Sequence, residues 1–205
     1  MKEMWNERYS SNEYAYGTEP NVFFKATIEK HKVKGRILLP GEGEGRNAVY
    51  AAQQGLEVIA FDISEEGKKK ALRLAELYNV NFKYQVGDFL KMDFAENWFD
   101  AAAIIHAHFP PNISSAYHKK VSSLIKPNGK LILEGFSKNN LPLREKNPQI
   151  GGPNKIEMLY SEEEIIKDFS NFEVLQLEEV EIDLNEGKYH KGIAKMIRFI
   201  GKKKE

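Results

Sequence analysis

Two hydrophobic rhythms alternate along this chain. Short runs that are apolar at successive positions predict strands buried on both faces: "RILL" at 36–39, "EVIAFD" at 57–62, "FKYQV" at 82–86, "FDAAAIIH" at 99–106 and "GKLILEGF" at 129–136. Between them lie stretches of helical period. One spans 47–54 and stops at Gly55. The next spans 64–78, with Ser64 as N-cap and Ala71, Leu72, Ala75 and Tyr78 on one face. A third, 114–124, ends at the turn signal "KPNG".

Strands separated by helix-length segments predict an α/β fold, a doubly wound and mostly parallel sheet covered on both sides. The rhythm changes near the end. After a Ser161-x-x-Glu164 capping box come two alternating strands close together, 172–184 and 192–201, which predict an antiparallel hairpin on one edge of the sheet. No repeat and no linker composition interrupts the pattern, so residues 1–205 are expected to form a single domain. Loop 138–160 is long for a compact domain, and the first 20 residues are rich in aromatics. Both are candidate walls of a site above the sheet.

Composition narrows the function classes. Thirty basic and thirty acidic residues cancel, so no global field points to nucleic acid or an anionic membrane surface as partner. The longest apolar run, 101–105, is far below the roughly 18 residues of a membrane span. The N-terminal stretch is polar, without the apolar centre of a signal peptide, and a cytoplasmic location is expected. Cysteine is absent, which excludes disulfides, thiolate metal sites and cysteine nucleophiles. The closing "GKKKE" reads as a solvated tail.

The chemistry concentrates in "LLPGEGEGRNAVYAA", 38–52, where Gly41, Gly43 and Gly45 bend the chain between a strand and a helix. A dinucleotide turn reads G-x-G-x-x-G and receives a pyrophosphate. Here the third glycine is one position early, and Glu42 and Glu44 would repel a pyrophosphate. A ligand with a cationic or amine-bearing end fits better than NAD. Asp62, at the end of the second strand, is placed to accept ribose hydroxyls. Asp88, after the third, is placed to accept an adenine amine, with Phe89 near the ring. Together they describe an adenosine site without phosphates.

With these motifs the chain resembles the class I S-adenosylmethionine-dependent methyltransferases, closest to the small tellurite-resistance and thiopurine-type enzymes, over roughly 36–201. The resemblance implies a Rossmann-like seven-stranded sheet and methyl transfer from S-adenosylmethionine to a small-molecule acceptor. It implies that Gly41, Glu42, Gly43 and Gly45 wrap the methionine moiety, with Arg46 and Asn47 at the helix start. Asp62 and Ile63 would contact ribose and adenine, Asp88 and Phe89 the adenine, and His106 the methionine part. The leader "WNERY...YAYGTEPN" is similar to a segment that folds over the cofactor, making 1–30 a cap and Trp5, Arg8, Tyr16 and Gly17 its contacts.

Two features depart from that family. Leu39-Pro40 stands where an acid usually precedes the first glycine, so the acidic role passes to Glu42 or is missing. "GKYHKG" matches a G-x-L-H-R segment in His190, but Lys191 cannot reproduce a bidentate guanidinium contact. His106 and His190 are the candidate catalytic groups. His106 and His108 lie two apart at a strand end, so both face the site or both face the core. His31 and His118, on predicted helices, read as surface groups. No metal is expected. The alternatives are a non-catalytic S-adenosylmethionine-binding protein and, further off, an NAD-dependent oxidoreductase.

Overall fold

Three of the predicted strands have no polar face, and a sheet built on them must be covered on both sides. In the computed structural model, which describes residues 1–205, β1 (Arg36–Pro40), β2 (Glu57–Asp62) and β4 (Phe99–Ile105) are buried almost throughout. With β3 (Lys83–Val86), β5 (Ile125–Phe136), β6 (Phe172–Glu186) and β7 (His190–Lys203) they form one seven-stranded sheet in the order β3-β2-β1-β4-β5-β7-β6. The first five strands are parallel, and β7 runs antiparallel to both β5 and β6. The doubly wound sheet with its C-terminal hairpin is the one the hydrophobic rhythm predicts.

Side chains alternate between two covered faces, as the period of a strand requires. Ile37, Leu39, Ala101, Ala103 and Ile105 join a core with Phe24, Ile28, Tyr50 and Ala51, from helices α2 (Val22–Lys30) and α3 (Arg46–Gln53). Leu38, Ile59, Ala102, Ile104, Leu131 and Leu133 join the opposite core with Tyr117 and Val121 from α5 (Pro111–Leu124), Ile165 from α7 (Glu162–Asp168) and Phe169 at its C-terminal end. Helix starts follow local chemistry. Ser64 Oγ accepts from Gly67 N at 3.0 Å to open α4 (Glu65–Leu77), and Asn21 Oδ1 accepts from Phe24 N at 2.9 Å to open α2.

The first residues form α1 (Lys2–Tyr9), packed against α4. Three expectations change. Segment 138–160 is not open loop but a chain of short helical pieces, including α6 (Leu141–Lys146). The tail is structured as far as Lys203, whose ammonium donates to the carbonyls of Ser122 and Ile125 at 2.9 and 2.6 Å, capping the end of α5. His118 is buried, its Nδ1 2.6 Å from Asp168 Oδ2 on α7. An amphipathic pattern marks which face of α5 is apolar, but it cannot announce that a distant aspartate waits to pair with a histidine on that face.

No helix is long and apolar enough to cross a membrane.

Candidate active site

Parallel strands present their C-terminal ends on one edge, and between β1 and β4 the chain's order reverses, opening a crevice there. A cleft of about 980 Å³, counting its open mouth, occupies this position. Its walls include Trp5, Tyr9 and Tyr16 from the N-terminal segment, Gly41 and Glu42 from the glycine turn, and Asp62 and Ile63 after β2. His106, Phe109 and Tyr117 follow β4, and His190 opens β7.

The three glycines have different physical reasons. All have positive φ: +65° at Gly41, +60° at Gly43 and +88° at Gly45. A Cβ at Gly41 would point at the Ala107 side chain, 2.9 Å away across the cleft wall. At Gly45 it would lie 2.5 Å from the Ala71 Cβ and 2.8 Å from its Cα, so this glycine lets α3 close against α4 and faces no ligand. Gly43 is held from both sides. Its N–H donates to Asp62 Oδ2 at 3.0 Å, and its carbonyl accepts from the Tyr84 hydroxyl at 2.6 Å.

The two glutamates of the turn also separate. Glu44 is buried, accepts from Ala15 N at 2.8 Å and pairs with Lys70, tying the N-terminal segment to the turn. Glu42 faces the cleft. Its Oε1 accepts from Ala48 N at 2.8 Å, and burial, only partly offset by that hydrogen bond and by Arg46, lifts its carboxyl to about 7. No protein cation is in contact with this cleft-lining carboxylate, which leaves it free to pair with a cation. Asp62 lines the cleft beside it. Burial raises its carboxyl, opposed by hydrogen bonds from Ser64, Gly43 and Ile63.

The expected contacts at the helix start, Arg46 and Asn47, line the cleft and are also tied into the protein. Arg46 is buried. Its Nη2 donates to Glu186 Oε2 at 2.8 Å and its Nη1 to the carbonyl of Tyr16 at 3.2 Å. Asn47 Oδ1 accepts from Asn21 N at 2.9 Å. Both clamp the N-terminal segment onto the core. Arg8 does not line the cleft but donates to the Tyr16 hydroxyl at 2.9 Å, so it positions a residue that does. Gly17 is in the wall.

Asp88 and Phe89 need correction. Phe89 is fully buried, stacked on Phe61 with centroids 4.4 Å apart, and has no surface to offer a ring. Asp88 accepts from the Tyr117 hydroxyl at 3.3 Å, and it is Tyr117, with Phe109 and Ile113, that reaches the cleft. These last three carry no sequence signal, because Ile113 and Tyr117 on α5, and Phe109 just before it, reach the site only once that helix packs on the sheet.

The histidine pair also divides. Both rings lie near Phe136, but their hydrogen bonds differ. His108 Nε2 accepts from Phe136 N at 3.0 Å, so the proton sits on Nδ1, which donates to Met158 O at 2.8 Å. With both nitrogens used, and burial first among causes that lower it to about 3, His108 is a neutral structural brace. His106 has φ +53°, its side chain is nine-tenths buried, and its Nδ1 has no partner. The left-handed backbone and the unpaired buried nitrogen single His106 out among the histidines of the cleft. His190 lies beside it, ring centroids 4.6 Å apart.

Glu186 is a further member of this cluster that no motif announces. It stands directly across the β6–β7 hairpin from His190, and its carboxylate meets both histidines. The available signal is "EGKYH" between two alternating strands, which sets residues 186 and 190 opposite each other once Gly187 turns the chain. His106, Glu186 and His190 offer ligand atoms within 4.8 Å of one another, a spacing a metal ion could use. Arg46, 2.8 Å from the same Glu186 oxygen, sets a permanent cation against that use.

Residues 37–129 match a family model described as a methyltransferase domain. Thiocyanate methyltransferase 1 of Brassica oleracea is 34% identical over 104 residues, 48% of this chain and 45% of that protein. The chain therefore spans less than half the length of this curated relative. The TehB structure from Haemophilus influenzae is similar with a TM-score of 0.72 at 16% identity, covering 99% of this chain and 67% of that one. A structure described as the conversion of a disulfide bond into a thioacetal group during echinomycin biosynthesis superposes with a TM-score of 0.79 at 15% identity, covering 100% and 92%. At these identities the two structures establish the fold.

Proposed function

We propose that this chain, which carries a methyltransferase domain over residues 37–129 within a class I methyltransferase fold, transfers a methyl group from S-adenosylmethionine to a small-molecule acceptor. The observation that carries the reading is the charge of the cleft: Glu42 and Asp62 line it beside the glycine turn, and the one arginine at the helix start is consumed by Glu186. Such a wall suits a nucleoside bearing a sulfonium and an ammonium and opposes a pyrophosphate, which disfavours NAD.

The residues present fit that cofactor. Asp62 would accept from the ribose hydroxyls. Glu42 would take the ammonium, filling the acidic role absent at Leu39-Pro40. Ile63, Phe109, Ile113 and Tyr117 offer the apolar surface an adenine needs. When bound, the cofactor supplies an activated methyl on a sulfonium. The protein's task is to align the acceptor and exclude water. Trp5, Tyr9 and Tyr16 serve the second purpose as a cap, held by the Arg46 and Glu44 clamps. His106 and His190, in the same wall, would face the acceptor.

The branch of small tellurite-resistance and thiopurine-type enzymes belongs to the same reading, supported by "GKYHKG" and the likeness to TehB. Isothermal calorimetry with S-adenosylmethionine and S-adenosylhomocysteine tests the proposal, and no binding of either up to millimolar concentration sinks it. Binding of both without turnover of any thiol, chalcogen oxyanion, phenol or carboxylate acceptor would favour the non-catalytic alternative.

A further inference from the structure

The edge of the sheet where the parallel strands begin carries a second concavity, with chemistry opposite to that of the cleft. It holds about 580 Å³, counting its open mouth, and its walls include Lys32 and Lys34 before β1, Asp100 in β4, and Lys126, Asn128 and Lys130 in β5. Its one carboxylate is already spent. Asp100 Oδ1 accepts from Lys126 Nζ at 2.6 Å, and its Oδ2 accepts from Arg36 N at 2.8 Å. Burial opposes the charge on Asp100, but the Arg36 N–H and Lys126 outweigh it and hold the carboxyl below its usual range. Lys32, Lys34 and Lys130 make no ion pair, so positive charge is left uncompensated here in a chain whose net charge is zero.

The fold holds these charges together at a cost. Lys130 lies directly opposite Lys202 in the β5–β7 ladder, a like-charge pair that destabilises the sheet. Lys32 has φ +48° and Asn128 φ +67°, and lysine, unlike asparagine, has no preference for that left-handed region. Gly35, at φ +82°, lets the chain press against Asp100, whose carboxylate an added Cβ would strike. Segment 32–36 and the turn 126–129 are thus both pinned to Asp100, which keeps the pocket concave. The field reaches the next residue as well: burial first, then Lys30 and Lys130, lower the His31 imidazole. No carboxylate of the protein offsets this repulsion. A bound polyanion would.

We propose that this pocket binds a small soluble polyanion of the pyrophosphate class, held by Lys32, Lys34 and Lys130 at the end of the sheet opposite the cleft. A lysine ammonium is a compact point charge with three donors, suited to phosphoryl oxygens that arrive without a fixed geometry. The bounded shape and the zero net charge favour a small anion over a nucleic-acid backbone, which requires an extended positive stripe. The inference does not depend on the methyl-transfer reading. The cleft, lined by Glu42 and Asp62, disfavours the same ligand, so the two ends of the sheet have opposite charge preferences.

The test is titration of the full chain with sodium pyrophosphate in low salt, followed by calorimetry and by ¹H–¹⁵N correlation. Saturable binding with Kd below about 1 mM is expected, with shifts concentrated at 31–36 and 126–130 and affinity falling several-fold as NaCl rises from about 0.05 to about 0.15 M. The double variant Lys32→Asn, Lys130→Gln removes two of the charges, and asparagine suits the left-handed backbone at 32. It should bind pyrophosphate at least about tenfold more weakly, melt at or above the parent in the absence of the anion, and keep its S-adenosylhomocysteine affinity. Absence of saturable binding up to about 10 mM, shifts at the cleft instead, or unchanged affinity in the double variant would overturn the proposal. So would a double variant that melts well below the parent, which would make the lysines supports of the fold. Tighter binding of oligouridylate than of pyrophosphate would also overturn it, in favour of a nucleic-acid surface.

Discussion

Gly45→Ala separates packing from ligand binding within the glycine turn. At φ +88° an alanine pays the left-handed penalty of about 1–2 kcal/mol. Its Cβ would also lie 2.8 Å from the Ala71 Cα, which is backbone and cannot swing away. Overpacking of that kind adds about 1–3 kcal/mol. Gly55→Ala is the control: its φ is +79°, but nothing lies within 4 Å of a new Cβ, so only the backbone term applies. The difference between the two variants is therefore the clash alone. At about 2–4 °C per kcal/mol for a chain of this size, Gly45→Ala should melt roughly 2–12 °C below Gly55→Ala. The assay is thermal unfolding by circular dichroism, with S-adenosylhomocysteine affinity measured on the folded protein well below Tm. Affinity should stay within about threefold of the parent, a change of less than 1 kcal/mol. Equal melting temperatures would refute the packing argument. A variant that melts like Gly55→Ala but loses the ligand would show that Gly45 faces the cleft after all.

Three further outcomes follow from the site. Glu42 must be ionised to receive a cation, and its carboxyl titrates near 7, so S-adenosylmethionine affinity should fall by up to about tenfold per pH unit below 7 and level off above it. Glu42→Gln should weaken binding and erase the slope, and a pH-independent parent would contradict the assignment. His108 and His190 are each lowered to about 3 by burial, against about 6.5 unfolded, so both are neutral in the native state and the unfolded chain takes up their protons first. Stability should therefore be full above pH 6.5 and drop as pH falls toward 3, by about 2 kcal/mol per histidine at pH 5, measurable by urea titration. A stability curve flat from pH 7 to 5 would refute it. Phe89→Leu should cost about 1–2 kcal/mol of stability and leave S-adenosylhomocysteine affinity unchanged, whereas Asp62→Asn should lower that affinity at least about tenfold. Calorimetry on both variants decides whether Phe89 touches the ligand.

The sequence by itself determined the elements and their order, because these depend on neighbours in the chain. Apolar runs, caps such as Ser64 and glycines at forced turns are local, and they gave the parallel sheet, its terminal hairpin and the turn carrying Glu42 with Asp62 after the next strand. It also showed that pyrophosphate is a poor fit, since charge in a turn is read directly. What only the tertiary structure decided is which side chains meet. Glu44 and Arg46 line the cleft beside Gly45, yet the partners that hold them lie far off at Ala15, Lys70, Tyr16 and Glu186. Phe89 looks like a ring contact, yet Phe61 covers it. His106 and His108 share a strand end and a chemistry, but one is exhausted by Phe136 and Met158 while the other keeps a free nitrogen. The physical reason is common to all of them. A side chain's protonation, burial and remaining hydrogen-bonding capacity are set by atoms within a few ångströms, and the fold draws those atoms from segments that no local pattern connects.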